Sequence, residues 1–114
     1  ITDTVLSRVF SASVTGVDAE LVEVEVNAGF GERPGIVVVG LPDAAVRESR
    51  DRVETAVMNS AFATHPGKIT VNLAPADVRK EGPSFDLPIA LGLLGATGQM
   101  RVEGLDRWLV TGEL

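Results

Sequence analysis

The chain has 114 residues, 45% of them hydrophobic and 23% charged, a composition that excludes disordered, collagen-like and low-complexity proteins and fits one ordinary domain with its own core. It contains no cysteine and carries a formal charge of −6, which removes disulfides, thiolate chemistry and cysteine zinc sites and argues against gripping nucleic acid through bulk charge. With four Phe, one Trp and no Tyr, the core must be built from Val, Leu, Ile and Ala.

Residues 5–14 mix β-branched, aromatic and Ser side chains and read as a strand, with a turn at Thr15-Gly16-Val17-Asp18. From Glu20 the pattern alternates: Val22, Val24, Val26 and Ala28 share one face, Glu23, Glu25 and Asn27 the other. That period of two predicts a half-buried antiparallel strand with an acidic wet side. Gly29, Gly31, Pro34 and Gly35 make the next loop. Ile36-Val37-Val38-Val39 is apolar on both faces, which predicts a strand in the middle of a sheet. The first third therefore reads as a three-stranded meander.

Pro42 and Asp43 suit a helix start, and Val46, Ser49, Val53, Ala56, Val57 and Ser60 recur at helical spacing. Arg47 with Asp51, Glu48 with Arg52, and Arg50 with Glu54 stand one turn apart as ion pairs, each contributing about 0.2–0.5 kcal/mol. His65-Pro66-Gly67 ends the element, and His65 reads as an exposed loop residue. Residues 68–73 alternate again and predict a strand. From Ser84 the chain turns helical, and Leu87, Ile89, Ala90, Leu91, Leu93 and Leu94 are apolar nearly all round, as in a buried helix. A last strand is predicted over 108–110. The order βββαβα, then β, predicts an α+β, two-layer domain over residues 1–114, with helices on one face of a mostly antiparallel sheet. A chain that opens without Met and stops within Trp108-Leu109-Val110-Thr111-Gly112-Glu113-Leu114 reads as a piece excised from a longer protein. No apolar run approaches the ~18–20 residues of a membrane span, so a cytoplasmic protein without membrane contact is expected.

Three segments could carry chemistry. Lys80-Glu81-Gly82-Pro83-Ser84 places a hydroxyl at a helix mouth, where backbone amides can stabilise an oxyanion and a desolvated lysine could serve as base. Ser84 equally reads as an N-cap, worth about 1 kcal/mol over Ala, with Asp86 in the first turn. Gly40-Leu41-Pro42-Asp43 reads as a structural turn, since it lacks phosphate-loop glycine spacing. Arg47, Arg50, Arg52 and Arg79 with Lys68 and Lys80 could form a basic strip, although the helix arginines also read as paired and solvated. Glu23 and Glu25 share a strand face without a visible third metal ligand; that face could instead meet a basic partner surface. His65 is the only histidine, so a Ser-His-Asp triad would have to use it. G-x-x-x-x-G-K-[ST] is absent, so these residues alone are not a phosphate-loop ATPase.

Four blocks in order resemble one family: Val38-Val39-Gly40-Leu41-Pro42-Asp43; Val46-Arg47-Glu48-Ser49-Arg50-Asp51-Arg52-Val53; Ile69-Thr70-Val71-Asn72-Leu73-Ala74-Pro75-Ala76-Asp77; and Lys80-Glu81-Gly82-Pro83-Ser84-Phe85-Asp86-Leu87-Pro88-Ile89-Ala90. They are similar to the N-terminal domain of the ComM/YifB magnesium-chelatase-like AAA+ proteins, over nearly the whole chain. The resemblance implies a ribosomal protein S5 domain 2-like fold (a βββαβα core), shared with the Lon protease domain. It also implies a downstream phosphate-loop AAA+ module in the same polypeptide, using ATP and Mg, with no cofactor in the present domain. Ring-like hexamers and a role in DNA branch migration during natural transformation are expected of the full-length protein. This domain would then be a non-catalytic accessory to assembly, DNA contact or coupling, with Arg47, Arg50, Arg79 and Lys80 as candidate DNA or partner contacts. A more distant resemblance links Lys80-Glu81-Gly82-Pro83-Ser84 to the Lon nucleophile segment and Thr111-Gly112-Glu113 to its later Thr-Gly-Glu. On that match Ser84 is the one candidate catalytic residue. Phe85-Asp86 replaces Lon's small Ala-Gly and is expected to crowd Ser84 and place a negative charge near an oxyanion. Lon's partner lysine would lie beyond Leu114. The alternative reading is thus a degenerate serine hydrolase completed from outside these residues.

Overall fold

β1 (Thr4–Thr15) and β2 (Asp18–Gly29) form a long antiparallel hairpin in the computed structural model, which describes residues 4–30 and 33–114. Gly31, expected in the loop after β2, lies outside the described residues. The hairpin turn is Gly16-Val17, with Gly16 at φ 62°, the positive φ that such two-residue turns favour. Along β2, Val22, Val24, Val26 and Ala28 are buried and Glu23, Glu25 and Asn27 lie half-buried on the opposite face. A one-residue slip would exchange the two sets, so the alternation itself holds the register.

The expected meander does not form. The sheet order is β1-β2-β4-β3: β4 (Lys68–Ala74) pairs antiparallel with β2 and parallel with β3 (Gly35–Val39). Ile69, Val71 and Leu73 of β4 repeat the inward alternation of β2 and stand opposite Ala28, Val26 and Val24, so β4 completes the buried row beside β2. β3 is therefore an edge strand, and not the central one its sequence predicts. Ile36 and Val38 pack against the core, whereas Val37 and Val39 remain 41% and 40% exposed.

α1 (Ala44–Asn59) is the crossover between the parallel strands β3 and β4. Asp43 starts it, its carboxylate accepting the Val46 N–H at 2.8 Å, and Val46, Ser49, Val53 and Val57 are buried. Of the three ion pairs expected along α1, Arg52–Glu48 alone forms among the described residues, at 3.8 Å. Arg47 folds back on the Pro42 carbonyl, and Arg52 is drawn to Asp86. α2 (Asp86–Ala96) is buried over most of its surface. It rides close on β2: a Cβ on Gly92 would stand 2.6 Å from Val26 Cγ2, and the Ser7 hydroxyl of β1 donates to the Gly92 carbonyl. Both helices pack on the side of the sheet lined by the buried valines, giving the expected α+β two-layer arrangement.

Two local expectations are corrected. Residues 108–110 are not a strand; after a 3-10 turn at Glu103–Arg107, the segment touches β1 through one parallel bridge, with the Val110 N–H on the Phe10 carbonyl at 2.8 Å. It then leaves for the 3-10 turn that precedes α2, where the Gly112 N–H donates to the Ser84 carbonyl at 2.9 Å. His65 is half-buried, its Nε2 against the Gly29 carbonyl and its ring edge-on to Phe30, 5.2 Å between centroids.

Candidate functional site

The connection from β4 to α2 lies beside the turn from β3 to α1. The Lys80 N–H donates to the Leu41 carbonyl and the Asp43 N–H to the Lys80 carbonyl, both at 3.0 Å. Asp43 secures both segments: one carboxylate oxygen caps α1, and the other accepts the Gly82 N–H at 3.1 Å. Gly40, at φ 109°, passes so close to β4 that a Cβ there would fall 2.1 Å from the Leu73 carbonyl oxygen. The Gly40–Asp43 stretch is thus a structural turn, as its sequence predicts.

Extended backbone alternates its side chains, and here Arg79 points to solvent while Lys80 is fully buried. The Lys80 ammonium donates to the carbonyls of Leu73, at 3.0 Å, and Pro75. Burial pushes its pKa below the ordinary 10.5, with Asp77 and Glu20 opposing the shift. Lys80 therefore drops out of the expected contact surface, because no part of it reaches solvent.

Ser84 sits in the 3-10 turn Pro83–Phe85 that leads into α2. It is not an N-cap: Gly82 and Phe85 hold the cap positions of the turn and of α2, and no side chain caps either. The Ser84 carbonyl accepts from the Gly112 amide and, at 3.4 Å, from the Thr111 hydroxyl. Phe85 and Asp86, the residues that follow it, are both buried. The Asp86 carboxylate receives the Arg52 guanidinium at 2.6 and 3.0 Å, the Ser49 hydroxyl and, at 3.1 Å, the Leu114 N–H. This hydrogen bond raises the Arg52 pKa. Sequence reasoning missed the Asp86 cluster; its only local signal was Ser49, a hydroxyl on the apolar face of α1.

Arg47 and Arg79 line one concavity with Val38, Val39, Gly40, Leu41 and Pro42, at the end of β3. Arg50, one turn further along α1, is exposed and lies outside it. Arg79 pairs with Glu81 at 3.2 Å. On the outer sheet face Arg8 lies 2.9 Å from Glu23 and 3.5 Å from Glu25, so the acidic face already meets a cation within its own sheet. Among the described residues no cluster of three His, Asp or Glu could hold a metal ion, and no helix is long and apolar enough to cross a membrane.

Residues 22–114 match the family described as subunit ChlI of Mg-chelatase. Over 109 residues, 96% of this chain, the sequence is 47% identical both to the uncharacterized protein YifB of Escherichia coli and to the competence protein ComM of Haemophilus influenzae. The chain belongs to the magnesium-chelatase-like ComM/YifB family. YifB of Salmonella typhimurium is 44% identical over the same length. In each case the chain spans about a fifth of the curated relative, 21% of its length.

Proposed function

We propose that this chain is a non-catalytic accessory domain of a larger magnesium-chelatase-like AAA+ ATPase working in the cytoplasm. The ATPase module of the same polypeptide, downstream of this domain, binds ATP and Mg and assembles as a ring, most simply a hexamer. The whole machine acts in DNA processing such as branch migration, a reading in keeping with the competence role in the name of the ComM relative. Within it, Arg47, Arg50 and Arg79 are this domain's exposed contacts to a partner.

One observation supports the non-catalytic reading: the Lys80 ammonium is buried and committed to the carbonyls of Leu73 and Pro75, its hydrogen-bond partners among the described residues. Lys68, the other lysine, opens β4 at the end remote from this connection, on the order of 20 Å along the strand. A serine nucleophile needs an adjacent base, and neither lysine is placed as one. The alternative hydrolase, with its lysine supplied from outside these residues, draws on the Ser84 hydroxyl being free of any capping bond.

A fluorophosphonate probe on the full-length protein separates the readings. The accessory domain predicts no Ser84-dependent labelling, and ATP hydrolysis in Ser84→Ala that stays within about twofold of the parent, since a change below ~0.4 kcal/mol is all that allows. Labelling that disappears in Ser84→Ala would establish the hydrolase instead.

A further inference from the structure

We propose that the free edge of β3 is a docking site for an extended acidic segment of a partner protein, which adds to the sheet as a strand and sets a carboxylate between Arg47 and Arg79. The inference deepens the partner-contact reading of those arginines and does not depend on the ATPase assignment.

The first support is a mismatch between sequence and position. Gly35-Ile36-Val37-Val38-Val39 is apolar on both faces, the composition of a strand covered on every side. Yet, among the described residues, it lies at the end of the sheet, hydrogen-bonded to β4 alone. Every second amide and carbonyl of an edge strand points outward, and exposed edges are normally blunted by charge, proline, a bulge or a covering segment. β3 carries no charge and no proline. Val37 and Val39 are instead 41% and 40% exposed at alternate positions, a footing for the alternate side chains of an added strand.

The second support is charge. The edge runs directly into the concavity between Arg47 and Arg79. Arg47 is oriented by two hydrogen bonds from Nε and Nη2 to the Pro42 carbonyl, at 3.3 and 3.2 Å, which leaves Nη1 available. Among the described residues Arg79 is held only by an exposed partner, Glu81. Asp43, the acid within the turn itself, is engaged by the amides of Val46 and Gly82. A chain of net charge −6 thus presents two guanidinium groups where an incoming strand would end. Planar guanidinium forks suit a carboxylate. A nucleic acid strand fits less well, since two arginines give a small counterion effect and no aromatic lines the concavity for base stacking.

Fluorescence anisotropy on the intact protein tests this with five probes. They are a peptide of about ten residues of alternating Val and Thr with Glu at both ends, its Gln-ended copy, two copies N-methylated at alternate amides in the two possible registers, and a single-stranded oligonucleotide of similar length. The Glu-ended peptide is expected to bind. The Gln-ended copy should bind the parent protein about tenfold more weakly, and the Arg47→Ala/Arg79→Ala double variant should bind the Glu-ended peptide about tenfold more weakly, the loss of one charge-assisted contact. N-methylation in one of the two registers, and the exposed-site variant Val37→Lys, should abolish binding. The N-methylated probes need no protein variant, so a folding defect cannot mimic their result. Absence of binding by the Glu-ended peptide, equal binding of the Gln-ended copy, binding that survives N-methylation on both registers, or tighter binding of the oligonucleotide each overturns the proposal.

Discussion

Lys80 and Ser84 stand four positions apart in one motif, yet their environments differ completely. The ammonium of Lys80 is desolvated against two carbonyls, so replacing it leaves buried acceptors without a donor. Lys80→Met is expected to cost about 2 kcal/mol in urea unfolding. Its pH dependence has a definite sign. The folded lysine releases its proton below 10.5, so between that lowered value and 10.5 the unfolded chain holds more protons, and stability rises with pH across the interval. Lys80→Met should flatten that rise. Ser84→Ala, by contrast, removes a hydroxyl that caps nothing and should change unfolding free energy by less than about 0.5 kcal/mol; a loss near 1 kcal/mol would restore the cap. The sequence could place a serine and a lysine in one motif. Which of them turned inward depended on the extended backbone at Arg79-Lys80, pinned to Leu41 and Asp43 by a segment distant in the chain.

At the scale of elements, composition and hydrophobic periodicity located all six helices and strands to within a few residues, because burial on one face imposes its period on each segment separately. It did not order them. β2 and β4 carry the same inward apolar alternation, and nothing local says that β4 inserts beside β2 and leaves β3 at the edge. The short run at 108–110 has the composition of a strand but pairs with β1 at only one bridge, and a strand is defined by its partner. The helix α2 is legible as buried; how closely it packs is not. Gly92 permits that approach, and Gly92→Ala would drive a methyl into Val26, which is fully buried. Overpacking of this kind should cost about 1–3 kcal/mol, read as a lower midpoint in thermal unfolding.

For the molecule as a whole, the Arg52–Asp86 pair joins α1 to α2 and holds the closing segment through the Leu114 amide. Asp86 is fully buried, so removing its cation leaves a charge in the interior with only the Ser49 hydroxyl and a backbone amide to solvate it. Arg52→Ala is expected to cost about 3 kcal/mol in urea unfolding, well beyond the loss of a helical surface pair; a cost of ~0.5 kcal/mol would show the pair to be a surface contact in energetic terms. Composition and periodicity alone determined the class of this protein, a valine-rich α+β domain with its helices on one side of the sheet, because each segment must hide its own apolar face. The ordered motif blocks, by resemblance, pointed to the family. Tertiary structure alone decided which strand became the edge, which cation was buried and which carboxylate joined the helices. Those outcomes depend on contacts between residues far apart in the chain, and no local pattern encodes the partner a residue will meet.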